Sequence, residues 1–323
     1  MVSDKKALRL LMLFDRLTRG EVIHRQKTAE EYDVSVKSIQ RDISDLNYYL
    51  ASTLFSDVKV IFDRRANGYR LNNPLETKLS KEETLSLIKV ILESRAFSKQ
   101  DMNLIFNKLM NSLSCEDKRL LNSFYGNEKD HYIETKNSKS LFKILWDMSL
   151  AVKESRIVHA SYRRIIDELP KDIIIEPVGI VFSEYYFYLL AYFNGKDYPN
   201  PAIFRLDNIL GYTVTDEYFK KSPSYTNGFE EGEFRKRVQF MNIGDLMTIE
   251  FEFWGRSLDA VTDRLPTAKI IGKNGDRAIL RAEVYGKGIK MWLLSQGEFL
   301  KVISPPAFVE EMKQTISAMM ENY

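Results

Sequence analysis

The sequence predicts a multidomain α+β fold in four parts: a three-helix unit closed by a hairpin over 1–73, a helical connector over 74–155, a small twisted or barrel-like sheet over 156–228, and an α+β unit over 229–323. Three observations predict it. At 323 residues the chain is too long for one ordinary core. The hydrophobic period is helical from Leu79 to about Ser155 and strand-like from Arg156 onward. In the last part, strand and helix signals follow in the order strand, helix, strand, strand, helix.

Composition excludes several classes. Hydrophobic residues make up 44% and charged residues 28%, with only 15 Gly and 9 Pro, which fits a soluble globular chain and not a disordered or fibrous one. Cys115 is the only cysteine, so an internal disulfide framework and a cysteine-only metal site are excluded, and a reducing cytoplasm is the expected location. A lone cysteine on a helical stretch reads as a small packed residue, with redox sensing as the alternative. No apolar run of signal length precedes Arg16. The most apolar stretch, Ile173 to Phe193, is broken by Glu176, Pro177, Ser183 and Glu184, so no membrane partner is expected. A net charge of +2 means that any nucleic acid must be bound by a local patch.

The elements follow in order. Over 5–19, Ala7, Leu8, Leu10, Leu11, Leu13, Phe14 and Leu17 have helical spacing, Met12 reads as packing among them, and Gly20 is a stop. A short second helix covers Thr28 to Tyr32. Ser35 caps a third, whose buried face carries Val36, Ile39, Ile43, Leu46 and Leu50. Val58 to Asp63 and Tyr69 to Leu71 flank Asn67-Gly68, a hairpin signal. Ser80-Lys-Glu-Glu reads as a capping box opening the connector. Strand candidates follow at Val158–Tyr162, Ile173–Pro177, Gly179–Phe182, Tyr186–Tyr192 and Ile203–Ile209. Beyond them come Met247–Trp254, a helix over Ser257–Leu265, a hairpin over Ile270–Tyr285, and helices over Gly288–Ser295 and Pro306–Asn322, where Met319 and Met320 read as packing.

The segment from Thr28 to Ile43 has the layout of a helix-turn-helix. Ala29 supplies the small inner residue, Asp33 tolerates the tight turn and Val34 precedes the second helix. With Val36, Ile39 and Ile43 inward, Ser35, Lys37, Ser38, Gln40 and Arg41 face outward, with Thr28 beside them. Ser and Gln suit base edges or phosphates, and Lys and Arg suit phosphates or guanine. Arg64, Arg65 and Arg70 in the hairpin would act as a wing. The competing reading is a three-helix packing element with a solvated face, which Asp42 and Asp45 favour. The unit resembles the winged helix domain found in bacterial repressors and activators, and double-stranded DNA is the expected partner.

The run Glu176-Pro-Val-Gly-Ile-Val-Phe-Ser-Glu-Tyr-Tyr-Phe-Tyr-Leu-Leu-Ala-Tyr, followed by Ile203-Phe-Arg-Leu-Asp-Asn-Ile, resembles the WYL domain, with Phe187-Tyr188-Leu189 where the family has Trp-Tyr-Leu. Ser161-Tyr162-Arg163 fits an early family strand, and Trp292-Leu-Leu-Ser-Gln-Gly with Val302-Ile-Ser-Pro-Pro fits the extension that often follows. The resemblance implies an SH3-like or Sm-like small β-barrel in a homodimeric transcriptional regulator. It also implies a nucleotide or single-stranded nucleic-acid effector, held by Tyr162, Tyr188 and Arg205, with Arg163 and Phe204 as neighbours. The alternative is structural: Phe187 and Leu189 in the core, Tyr188 outward, and Arg205 paired with Asp207.

No enzyme is expected. His24, His131 and His159 share no metal-ligand spacing, and Gly286-Lys-Gly-Ile-Lys lacks the phosphate-loop pattern. No catalytic residue, metal or cofactor is assigned. The rival functions are a non-catalytic nucleic-acid-processing accessory factor and a protein-interaction scaffold.

Overall fold

The computed structural model describes residues 2–52, 58–72, 79–111, 113–164, 166–167, 169–220 and 229–323. The chain falls into two units, Met1–Ile88 with Phe106–Tyr125, and Lys89–Ile105 with Gly126–Tyr323. The expected divisions after 73 and 228 lie outside the described residues.

In the first unit, helices α1 (Val2–Thr18), α2 (Arg25–Glu31) and α3 (Val36–Ala51) precede a hairpin of β1 (Val60–Asp63) and β2 (Gly68–Leu71). The expected periodicity builds the core: Leu13 and Leu17 meet Ala29, Ile39, Ile43, Leu46 and Leu50, and Val60 and Leu71 close it. Ser35 caps α3, its Oγ accepting the Ser38 N–H at 3.1 Å. Asp33 turns the chain with φ 49°, and Asn67 does so in the hairpin with φ 48°. At Gly68 a Cβ would stand 3.1 Å from the Ile23 carbonyl oxygen, so the hairpin docks closely only with glycine there.

Four apolar residues depart from expectation in this unit. Leu8, Leu11 and Met12 are exposed, because helical spacing marks a wider stripe than α1 buries. Val36 is exposed too, since the first turn of α3 extends past the core.

Helices α4 (Lys81–Ser94), α5 (Lys99–Met110) and α6 (Cys115–Asp130) contribute residues to both units. The Ser80 capping box is formed: the Ser80 N–H donates to Glu83 Oε2 at 2.8 Å, and the Glu83 N–H to Ser80 Oγ at 3.1 Å. Cys115 is exposed at the start of α6 and is no core residue.

The second unit contains α7 (Phe142–Glu154) and strands β3 (Arg156–Tyr162), β4 (Lys171–Ser183), β5 (Tyr186–Phe193), β6 (Ala202–Arg205) and β7 (Ile209–Tyr218), with a 3-10 turn at Leu206–Asn208. The antiparallel strand order is β6-β5-β4-β3-β7, so β6 and β7 are the two edges. One face buries Val158, Ala160, Ile175, Leu189 and Phe204 under Ile144, Met148 and Ala151 of α7. The other is covered by α8 (Glu231–Arg237), a helix that the sequence pattern did not reveal; Phe234, Val238 and Met241 pack on Val181, Leu190 and Tyr188. With both faces covered, Leu189, Leu190 and Ala191 are all buried and the strand alternation disappears.

A second sheet follows: β8 (Leu246–Phe253), α9 (Leu258–Arg264), β9 (Lys269–Asn274), β10 (Arg277–Tyr285), α10 (Gly286–Ser295), β11 (Leu300–Ser304) and α11 (Pro306–Met320). Its order is β11-β8-β10-β9, so β10 lies between the two strands that α9 joins, a split β-α-β arrangement. Ile249, Phe251, Leu280 and Val284 of the sheet meet Val261, Leu293 and Phe308 of the three helices in one core. The edge strand β11 is additional to the expected order. Met319 and Met320, expected as packing, are exposed where α11 runs past the sheet.

Candidate functional site

In the first unit, the capped start of α3 presents its outer face from Lys37. Lys37 and Arg41 are exposed, and Gln40 and Ser38 are half-buried. Ser35, also exposed, has its Oγ engaged in the cap. Thr28 is a correction: at 1% exposure it is a core group of α2 and cannot contact a ligand. Asp42 does not oppose an anion at this face, because it is buried and holds Arg9, whose Nε donates to Oδ2 at 2.6 Å. Asp45 pairs with Lys6 at 2.9 Å.

Arg64 and Arg65 are exposed in the hairpin turn. Arg70 is half-buried, and its Nε donates to Asp63 Oδ2 at 2.6 Å. That bond, with the N–H groups of Ala66 and Arg65, holds the Asp63 carboxyl below its ordinary range. Arg70 therefore shapes the turn, whereas Lys37, Arg41, Arg64 and Arg65 enter no ion pair among the described residues. Sequence reading missed Ser44 and Tyr48, both exposed and seven and eleven residues beyond Lys37 on the same face; that spacing was the available signal.

In the second unit, register places Arg205 opposite Tyr188 and Phe204 opposite Leu189. The Arg205 N–H donates to the Tyr162 hydroxyl at 3.2 Å. Tyr162 and Tyr188 thus both reach Arg205, but from different faces: the Tyr162 ring packs with the core under α7, edge-on to buried Phe204 at 5.1 Å, while Tyr188 packs with the α8 cluster. Phe204 lies on the face opposite the Arg205 side chain, because neighbours on a strand alternate. Arg163 is exposed just beyond β3, its N–H bonded to the Asn208 carbonyl at 3.1 Å.

The Arg205 guanidinium is committed. Its Nε donates to Asp207 Oδ1 at 3.0 Å, its Nη2 bonds Oδ2, and its face lies 3.5 Å from the centre of the Tyr186 ring. Burial acts to lower the Arg205 pKa, but the hydrogen bond and charge of Asp207 outweigh it, and the pKa is raised. Burial also pushes the Tyr188 phenol up to about 12. Tyr188 does not point into solvent, since it packs with the α8 cluster. Sequence reading missed Tyr186, which shares a strand face with Tyr188, and Lys139, whose Nζ donates to the Ile209 carbonyl at 2.6 Å. Burial lowers the Lys139 pKa, while Asp207 opposes that shift. Among the described residues, no group of three or more His, Cys, Asp or Glu could hold a metal ion, and no helix is long and apolar enough to cross a membrane.

Residues 143–214 match the family model for the WYL domain. No curated protein matches the chain. Among solved structures the chain is similar to proteasome accessory factor B/C (PafBC) of Arthrobacter aurescens, at 15% identity and a TM-score of 0.32 over 99% of this chain and 48% of that one, so it spans about half of that protein's length. It is also similar to a structure described as a CRISPR Cas-related protein, at 15% identity and a TM-score of 0.39, over 77% of this chain and 74% of that one.

Proposed function

Because this chain carries a WYL domain at residues 143–214, we propose that it is a DNA-binding transcriptional regulator whose WYL domain senses a nucleotide or single-stranded nucleic-acid effector. The first unit acts as a winged helix-turn-helix, with α3 in the major groove and the hairpin as wing. The observation that carries this reading is the set of four exposed cations without ion-pair partners, Lys37 and Arg41 on α3 and Arg64 and Arg65 in the turn, while nearby Asp42 and Asp45 are neutralised from α1. Such a set is suited to phosphates.

The middle sheet acts as an SH3-like barrel; its strand order, with a 3-10 turn between the edge strands, supports that assignment. Its effector is read by Tyr162, Tyr188 and Arg205, with Arg163 beside them. A phosphate would compete with Asp207 for Arg205, and an aromatic ring next to a cation suits a stacked base. The regulator works as a cytoplasmic homodimer and catalyses no reaction.

The test is fluorescence anisotropy on duplex DNA from the region upstream of the protein's own locus, at several salt concentrations, with wild type and the Lys37→Ala/Arg41→Ala variant. Sequence-dependent binding is expected, and the variant should bind more weakly with a salt slope smaller by about two. Binding that ignores both sequence and the substitutions would overturn the regulator reading.

A further inference from the structure

We propose that the cavity between the β4–β5 turn and helices α9 and α10 is a binding site for a small organic anion carried on a flat ring. Its lining residues are distinct from the effector residues named above, and the proposal does not depend on those. Its volume is about 440 Å³, within the range of small-molecule sites. Arg264, Phe240, Trp292, Glu184 and Gln296 supply its polar and aromatic lining.

The chemistry follows from an unmet hydrogen bond. The Arg264 Nη2 donates to Glu184 Oε1 at 3.3 Å, while the neighbouring Nε is buried and has no acceptor. Nε and Nη2 form the edge of a guanidinium that takes a carboxylate or phosphate through two parallel bonds, and here that edge is half-used. A buried donor without an acceptor beside a cavity calls for an acceptor-rich ligand. A buried N–H left unpaired costs free energy that such a ligand returns.

The flat part of the ligand is indicated by the aromatic lining. Phe240 stands at the rim with its ring 5.0 Å from the Arg264 guanidinium carbon, and Trp292 lines the cavity as well. Phe240 and Met241 are held at φ 51° and 48°, and Glu184 at φ 55°. Left-handed backbone in bulky residues persists only where the surroundings impose it, and it clusters at ligand clamps. Buried Gln239 secures the base of the site, its Nε2 donating to the Arg264 carbonyl at 3.4 Å. Glu184 is then the group that an incoming anion replaces on Arg264.

The test is isothermal titration calorimetry on the full chain with benzoate, adenosine monophosphate and inorganic phosphate, with tryptophan fluorescence in parallel. One saturable site is expected for benzoate or the nucleotide, and which of the two binds tells a carboxylate ligand from a phosphate one. Quenching should vanish in Trp292→Phe. Arg264→Gln should weaken binding about tenfold or more. Glu184→Gln removes the competing carboxylate from an exposed turn, leaves folding intact and should tighten binding several-fold. No saturable binding of any probe at millimolar concentration overturns the site. So does a Glu184→Gln protein that binds no tighter than wild type. Inorganic phosphate binding as well as the nucleotide overturns the flat-ring part. DNA binding is unchanged in Glu184→Gln, so this site and the regulator reading stand or fall separately.

Discussion

Arg205 closes its fork on Asp207, two residues along the chain, with Nε 3.0 Å from Oδ1. The two side chains are 19% and 6% exposed. Arg205→Ala therefore does more than remove a candidate effector contact, because it leaves a buried carboxylate without its partner. It should lower stability by about 3 kcal/mol, and Arg205→Met/Asp207→Leu should recover most of the loss. Urea denaturation of the two single variants and the double variant measures the coupling. An unchanged midpoint for Arg205→Ala would show that the pair carries no structural weight.

Arg9 and Asp42 form the corresponding pair under α3, 12% and 1% exposed. The hydrogen bond to Asp42 raises the Arg9 pKa despite burial. Arg9→Ala should destabilise the first unit by about 3 kcal/mol. Lys37→Ala, on the exposed face, should change stability by less than about 0.5 kcal/mol while weakening DNA binding. Thermal unfolding and anisotropy on the same samples separate the two effects. A Lys37→Ala protein that melts early would place that lysine in the fold and not at the interface.

Alkaline pH should loosen the sheet under α8. Burial moves the Tyr188 phenol from 10.0 up to about 12. An acid whose folded pKa is raised contributes stability that is complete below its unfolded pKa and is lost as pH rises through the folded value. The loss should therefore run from about pH 10 to 12. Tyr188→Phe should flatten this part of the stability profile, followed by urea midpoints against pH.

Gly288→Ala should be severely destabilising. A Cβ there would stand 1.9 Å from the Gln239 carbonyl oxygen and 2.9 Å from that of Asn242, and backbone atoms cannot swing aside. A loss of about 3 kcal/mol is expected, at the upper end for overpacking. Gly126→Ala, with no atom within 4 Å, is the control and should be neutral or slightly stabilising. Similar melting temperatures for the two variants would contradict the close approach of α10 to residues 239–242.

Much of the fold is legible in the chain because its determinants are local. Ser35 caps α3 and Ser80 with Glu83 opens α4, as their spacing indicates, since a cap joins residues three apart. Asn67-Gly68 marks the hairpin because few residues accept a left-handed turn. The helix α8 was not legible. In Glu231-Gly-Glu-Phe-Arg-Lys-Arg, Phe234 is the only large apolar residue, and the helix gains its place by setting that ring on Val181 and Leu190, which lie over forty residues away in the chain.

The candidate sites divide the same way. Which face of α3 is exposed, and which residues of β6 face together, follow from periods of 3.6 and 2 that any reader of the chain can count. What those side chains are free to do depends on partners that periodicity cannot supply. Arg9 reaches Asp42 across thirty-three positions, and Tyr162 reaches the Arg205 N–H across forty-three. Thr28 and Phe204 sit at plausible spacings yet lie in cores, because burial depends on what packs above a residue. Local pattern therefore decided where most elements lie and in what order they come, with α8 and β11 as exceptions. Tertiary packing decided which charges are spent on the fold and which remain available, because desolvation and ion pairing are set by neighbours brought together only when the chain has folded.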